Sequence, residues 1–180
     1  MAYSDEEYIS GVHRGDEIVF TALVRDHVEA LTRFAFGFSG VEEAAHDIVQ
    51  DIFARIWELR DNWRPNGTVS AYLFTAVRNK ALNVIKASHA DQRMRAALLT
   101  YKHQERTDLD PYDDIALSSA IAQEFENLTP RQQEALRLRY EQGFTIPQIA
   151  EILGIEVRPA ARLIARAVGA LKAGLEHIEG

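Results

Sequence analysis

The chain has 180 residues, 47% of them apolar, and its 27 acidic against 20 basic side chains give a formal charge of -7. At roughly 100 to 150 residues per domain, this is one domain or two small ones. Cysteine is absent, which excludes disulfides, thiolate nucleophiles, iron-sulfur clusters and Cys-ligated zinc. No apolar run approaches the ~20 residues of a membrane-spanning helix, and the acidic start lacks the basic and apolar regions of a secretory signal, so a cytoplasmic protein without membrane insertion is expected.

Apolar residues recur at helical spacing and alternation at period two is hardly found, which predicts an all-α fold. Ser4 followed by Glu7 reads as a capping box for a helix of about two turns, and Gly15 separates it from a long periodic run ending near Phe38, Ser39 and Gly40. A third helix is expected from about Val41 to Arg60. Its apolar side is Val41, Ala45, Ile48, Val49, Ile52, Phe53 and Ile56, and opposite lie Glu43, Asp47, Gln50, Asp51 and Glu58. Carboxylates stacked this way repel by a few tenths of a kcal/mol per i, i+4 pair. A basic partner would relieve that, although an ordinary solvated face also fits.

Asn62, Pro65, Asn66 and Gly67 then break the periodicity. Trp63, Arg64, Asn66, Gly67 and Thr68 give the resulting loop aromatic, cationic and amide groups, the ingredients for holding an unstacked base. The bland reading of Trp63 is a cap on the core. From about Ser70 to Ala87 a fourth helix places Leu73, Val77, Ala81 and Val84 inside and Thr75, Asn79, Asn83 and Lys86 on a polar side flanked by Arg78. Asparagine is a modest helix former, so two on an exposed face suggest hydrogen bonding to bases or sugar. Residues 1–88 make a four-helix domain. Residues 89–114 follow as a flexible linker, since Thr107 to Asp114 is too charged to bury.

The second domain, 115–180, shows helix starts at Ile115, at Thr129 with Pro130 and Gln132, at Thr145 with Gln148, and near Arg158 and Pro159. The last two helices have a helix-turn-helix arrangement. Ile149 and Leu153 face the partner helix, Ala150 is small at the crossing, Gly154 suits a positive φ in the turn, and Ile155 plugs the gap. Leu163, Ile164, Ala167 and Leu171 fall on one side of the final helix, and Arg158, Arg162 and Arg166 form an i, i+4, i+8 stripe on another. Three guanidiniums on one edge suit the DNA major groove, against the alternative of a solvated basic face. Two windows of this acidic chain, Asn62 to Ala90 and Val157 to Gly174, contain no acid at all.

Taken together, these residues resemble the extracytoplasmic-function (ECF) group of bacterial sigma factors. The resemblance rests on Asp47-Ile-Val-Gln-Asp-Ile-Phe-Ala-Arg-Ile-Trp57, on Ala71-Tyr-Leu-Phe-Thr-Ala-Val-Arg-Asn-Lys-Ala-Leu-Asn83, and on Leu128-Thr-Pro-Arg-Gln-Gln-Glu-Ala135 with the helix-turn-helix. It covers about residues 5–88 and 115–175. It implies a σ2-like domain, a flexible linker and a σ4-like domain in a factor that binds core RNA polymerase and directs initiation at promoter DNA. Asp47, Gln50, Asp51 and Trp57 would meet the β′ coiled coil, and the σ4-like domain the β flap. Trp63, Arg64, Asn66, Thr68, Arg78, Asn79, Asn83 and Lys86 would engage the opened -10 element, and Arg158, Arg162 and Arg166 the -35 element. An anti-sigma factor is a further expected partner. Asn83, Lys86 and Ala87 differ from the Asp and arginine pair common in the group, and Glu156, Pro159 and Ala160 replace its usual recognition-helix start.

Three other readings compete. A sigma-like decoy would sequester an anti-sigma factor without starting transcription. A polymerase-independent DNA-binding regulator would leave the acidic helix without a reason. A metalloenzyme would use Glu43-x-x-His46, spaced like a di-iron ligand pair, but no second copy of that motif exists. The six histidines show no zinc spacing, and no phosphate loop or nucleophile cluster is present. No metal, cofactor or catalytic residue is therefore expected.

Overall fold

The computed structural model describes residues 3–95 and 115–176, with side chains described at 3–87 and 121–176. All regular structure among the described residues is helical. The chain divides into two compact units, one built on residues 1–90 and the other on 91–150 and 155–180.

In the first unit, α1 (Asp5–His13) begins with the anticipated capping box: Ser4 Oγ accepts from the Glu7 amide at 3.3 Å, and the Ser4 amide donates to Glu7 Oε2 at 2.7 Å. Asp16 starts α2 (Glu17–Ser39) by accepting from the Ile18 and Val19 amides. After α3 (Glu42–Glu58), a 3-10 turn at Arg60–Asn62 and an irregular loop lead to α4 (Val69–Arg95). Gly11 lies where α1 meets α2; a Cβ there would stand 2.5 Å from Val19 Cγ1, so only glycine allows this approach. Phe34 of α2 meets Phe74 of α4 at 5.0 Å between ring centroids, and Phe20 meets Phe53 and Trp57 of α3 at 6.3 and 4.7 Å. Leu23, Leu31, Val49, Leu73 and Val77 complete the buried core. Beside it, Tyr8 donates to Asp26 Oδ2 at 2.6 Å, and Arg25 donates to the other oxygen of the same carboxylate at 2.8 Å.

Two expected core residues lie outside. Val41 is 53% exposed because it is the N-cap of α3, ahead of the helical register, and Val84 is 39% exposed one turn beyond Ala81, which is fully covered. The fourth helix also runs past its expected end at Ala87 to Arg95. Ser88 to Arg95 contains neither glycine nor proline, so nothing local stops propagation once the helix exists. The segment expected as a linker from residue 89 is thus helical as far as 95; its remainder, 96–114, lies outside the described residues.

The second unit contains α5 (Ile115–Glu126), α6 (Pro130–Leu136), α7 (Ile146–Leu153) and α8 (Val157–Glu176), with α8 packed on α5 and α6. Thr129 caps α6 through its box with Gln132, and Pro130 occupies the first turn, where no intrahelical amide bond is lost. Gln133 reaches back to the end of α5, donating to the Phe125 and Leu128 carbonyls at 3.0 and 3.2 Å. A π-helical turn at Arg137–Glu141, which the periodicity did not indicate, extends α6, with the Gln142 amide donating to the Arg137 carbonyl at 3.2 Å. Leu128, Ala135, Leu138, Phe144, Ile149, Ala160 and Ala167 are buried.

Candidate functional site

The acidic face of α3 has the predicted form. Asp47, Gln50 and Asp51 are all exposed at i, i+3 and i+4, while Ile48, Val49, Phe53 and Ile56 are buried on the other side. Asp51 also has a partner that periodicity within one helix cannot reveal: Lys80 Nζ of α4 stands 2.9 Å from its Oδ2. An exposed pair of this kind contributes about 0.2–1 kcal/mol. It still relieves part of the repulsion along the stripe. Trp57 is half-buried, its ring against Phe20 and under the Arg60 guanidinium at 5.1 Å from the centroid. The side chain therefore holds α2 to α3 and presents only part of its surface outward. His46 lies 3.8 Å from Glu42 rather than toward Glu43, and no cluster of three potential metal ligands occurs among the described residues.

The loop after α3 differs from the expected open set of side chains. Trp63 is only 4% exposed and packs edge-on against Tyr72 with centroids 6.0 Å apart. Its large apolar ring is covered by the first unit, which agrees with the reading of Trp63 as a cap on the core and leaves no open ring face for a stacked base. Among the described residues its Nε1 has no hydrogen-bond partner. Thr68 is half-buried, and its hydroxyl oxygen accepts from the Ala71 amide at 3.1 Å, which makes it the cap of α4. Arg64 and Asn66 are exposed. Arg64 Nη1 also donates to the carbonyls of Trp63 and Asp61 at 3.0 and 3.3 Å.

Beside the loop is a groove of about 350 Å³ whose walls include Arg55, Leu59, Asn62, Trp63, Arg64 and Tyr72. Arg55, Leu59, Asn62 and Tyr72 were not singled out from sequence. Arg55, Leu59 and Asn62 stand at i, i+4 and i+7, a helical spacing that continues from α3 into the 3-10 turn, and Tyr72 comes from α4; Leu59 is an aliphatic side chain 49% exposed. On α4, Asn79, Asn83 and Lys86 are exposed at i, i+4 and i+7. Thr75 turns inward, donating its hydroxyl to the Ala71 carbonyl at 2.8 Å, and Arg78 is half-buried.

In the second unit, Thr145 caps α7, exchanging bonds with Gln148: its amide donates to Oε1 at 2.9 Å and its hydroxyl accepts from the Gln148 amide at 3.4 Å. Gly154 has φ +63°, the left-handed conformation expected of the turn, and the Ile155 amide closes it on the Ala150 carbonyl at 3.0 Å. Pro159 is the third residue of α8, and the first intrahelical bond, from the Ala160 amide to the Glu156 carbonyl at 3.1 Å, does not need its nitrogen. Arg158, Arg162 and Arg166 are all exposed. Ala160, Ile164 and Ala167 are buried, with Leu163 and Leu171 half-buried beside them. Ala160 was overlooked in the expected apolar set, although its i-4 relation to Ile164 was readable.

The family description "Sigma-70 region 2" matches residues 23–90, and "Sigma-70, region 4" matches residues 118–171. The chain is 24% identical over 177 residues to the ECF RNA polymerase sigma factor SigL of Mycobacterium tuberculosis, covering 94% of this chain and 96% of that protein. It is 27% identical over 138 residues to the ECF RNA polymerase sigma factor SigE of Mycolicibacterium smegmatis, covering 75% of this chain but 53%, about half, of that relative. The sigma factor RpoE, solved in complex with the anti-sigma factor NepR from Bartonella quintana, has the same fold, with a TM-score of 0.69 at 22% identity over 87% of this chain and 96% of that one. With one sigma-70 region on each helical unit and relatives of the ECF kind along nearly its whole length, the chain belongs to the extracytoplasmic-function group of the sigma-70 family.

Proposed function

We propose that the protein binds core RNA polymerase and directs promoter-specific initiation, with α3 docking on the polymerase, α4 and its preceding loop engaging the opened -10 element, and α8 reading the -35 element. The observation that carries this reading is the segregation of charge. Asp47, Gln50 and Asp51 share one exposed face of α3, whereas α8 exposes Arg158, Arg162 and Arg166 and no acid before Glu176. An acidic face suits a basic polymerase surface such as the β′ coiled coil, and a row of guanidiniums suits phosphate and guanine edges in the major groove. The second unit would also contact the β flap.

On the separated strand, Asn79, Asn83 and Lys86 offer amide and ammonium donors, Arg64 stands exposed at the groove, and Asn66 is exposed in the same loop. Trp63 supports this surface from within, and Thr68 fixes the start of α4. Joined through the segment 96–114, each unit raises the effective concentration of the other on a promoter. The factor makes and breaks no bonds itself, and its work is cytoplasmic, beside polymerase. By analogy with RpoE bound to NepR, an anti-sigma factor covering these faces is the expected means of control.

The test is reconstitution with core polymerase, followed by sequencing of the transcripts it starts. Wild-type protein should give promoter-dependent transcripts, and the triple change Asp47→Ala, Gln50→Ala and Asp51→Ala should weaken polymerase binding at least tenfold. Polymerase affinity unchanged by that variant would remove the docking assignment. Binding of an anti-sigma factor with no transcription from any promoter would identify a decoy.

A further inference from the structure

The two ends of the loop before α4 are both tied to α1. At its start, His13 Nε2 lies 2.7 Å from the Trp63 carbonyl oxygen, to which the tautomer protonated at this nitrogen donates. At its end, the Val69 amide donates to Asp5 Oδ2 at 3.0 Å. Asp5 and His13 are the first and last residues of α1, about 12 Å apart along the helix axis at 1.5 Å per residue. A six-residue segment free of such ties could extend to roughly 20 Å. The helix thus acts as a rigid strap that sets the separation of the loop ends. The Asp5 bond is charge-assisted and lies in the first turn of α4, where an anion is favoured. His13 and Arg64 also share one acceptor: the Arg64 guanidinium, beside the imidazole, donates to the same Trp63 oxygen at 3.0 Å, so a carbonyl held by His13 also fixes where this cation stands.

We propose that Asp5 and His13 are positioning residues for strand capture, holding the loop and Arg64 in their binding geometry before DNA arrives. This rests on the -10 role proposed above for the loop. Neither residue needs to touch DNA. Their effect is to remove disorder that binding would otherwise have to suppress, so it should show in affinity for separated strand and not in docking on polymerase.

The experiment uses full-length chain assembled with core polymerase, and a single-stranded oligonucleotide of the non-template -10 region from a promoter mapped with the wild-type factor. His13→Ala and Asp5→Ala should each weaken oligonucleotide binding about fivefold to tenfold. Polymerase affinity and binding of -35 duplex should stay within twofold, and amide exchange at Asn66 to Thr68 should accelerate. His13→Gln and Asp5→Asn, which retain a donor and an acceptor, should recover most of the loss. Oligonucleotide affinity within twofold of wild type in both alanine variants would overturn the proposal, as would an equal loss of polymerase affinity. Should His13→Ala unfold the first unit, Asp5→Ala compared with Asp5→Asn carries the same criteria. A wild-type holoenzyme that does not hold the oligonucleotide contradicts the function of the loop; normal capture that ignores α1 contradicts the strap alone.

Discussion

Asp26 sits between two donors, and its ionisation is set by both. The Arg25 guanidinium first, then the Tyr8 hydroxyl, hold its carboxyl below the ordinary 3.8. A carboxyl depressed in the fold adds stability above its ordinary range, and that contribution disappears as pH falls through the lowered value. Tyr8 moves the other way: burial, reinforced by its bond to Asp26, pushes the phenol from 10.0 up to about 12. The neutral phenol is the form the fold prefers, so its contribution is complete below pH 10 and is lost as pH rises toward and through 12. Urea midpoints measured against pH should show Tyr8→Phe flattening the alkaline loss between 10 and 12, and Asp26→Asn flattening the acid loss below about pH 4. Parallel profiles for wild type and both variants would contradict the assignment. Arg162 is the central member of the α8 stripe and is exposed, so Arg162→Ala should weaken -35 duplex binding by about 1–3 kcal/mol and relax preference at one base pair if it reaches a base edge. Uniform weakening over all sequences, seen in a competition assay, would assign it to phosphate instead.

Helices here take their ends from local chemistry and their neighbours from small residues. Capping boxes at Ser4, Thr129 and Thr145 and the Asp16 cap start four of the helices, and the three boxes were readable as a polar residue followed by its partner three positions later. The α1–α2 crossing depends on Gly11. A methyl group there would lie 2.5 to 2.9 Å from three atoms of the Val19 side chain, which is itself buried, so the helices must separate or Val19 must leave its rotamer. Gly11→Ala should therefore destabilise the first unit by about 1–3 kcal/mol, the usual range for overpacking. Chemical denaturation followed by tryptophan fluorescence reads this directly, because Trp57 and Trp63 are the chain's only tryptophans and both lie in that unit. The further consequence is functional: a displaced α1 would carry Asp5 and His13 with it and loosen the loop they tie.

For the whole molecule the decisive property is how an acidic chain distributes its charge. A net charge of -7 would repel DNA, yet Asn62 to Ala90 and Val157 to Gly174 carry no acid. Local fields can thus favour DNA while the total keeps non-specific binding weak. If the three α8 arginines each neutralise one phosphate, the logarithm of -35 duplex affinity should fall against the logarithm of salt concentration with a slope of about -3. A flat salt dependence would show that these guanidiniums do not meet the backbone. Polymerase docking through the acidic face should weaken with salt as well, though less steeply, since Lys80 already screens Asp51.

Most of the elements, the turn at Gly154 and the exposed rows on α3, α4 and α8 were legible because they depend on residues at most eight positions apart. Caps and amphipathic faces are properties of such short windows. Tertiary structure alone decided that Trp63 is covered, that Lys80 meets Asp51, and that α1 reaches both ends of the loop. His13 and Trp63 are 50 residues apart, and Asp5 and Val69 are 64. Contacts at such separation follow from how helices cross and which side chains fill the space between them. Helical periodicity specifies the face a residue occupies and leaves open the neighbour it will find there.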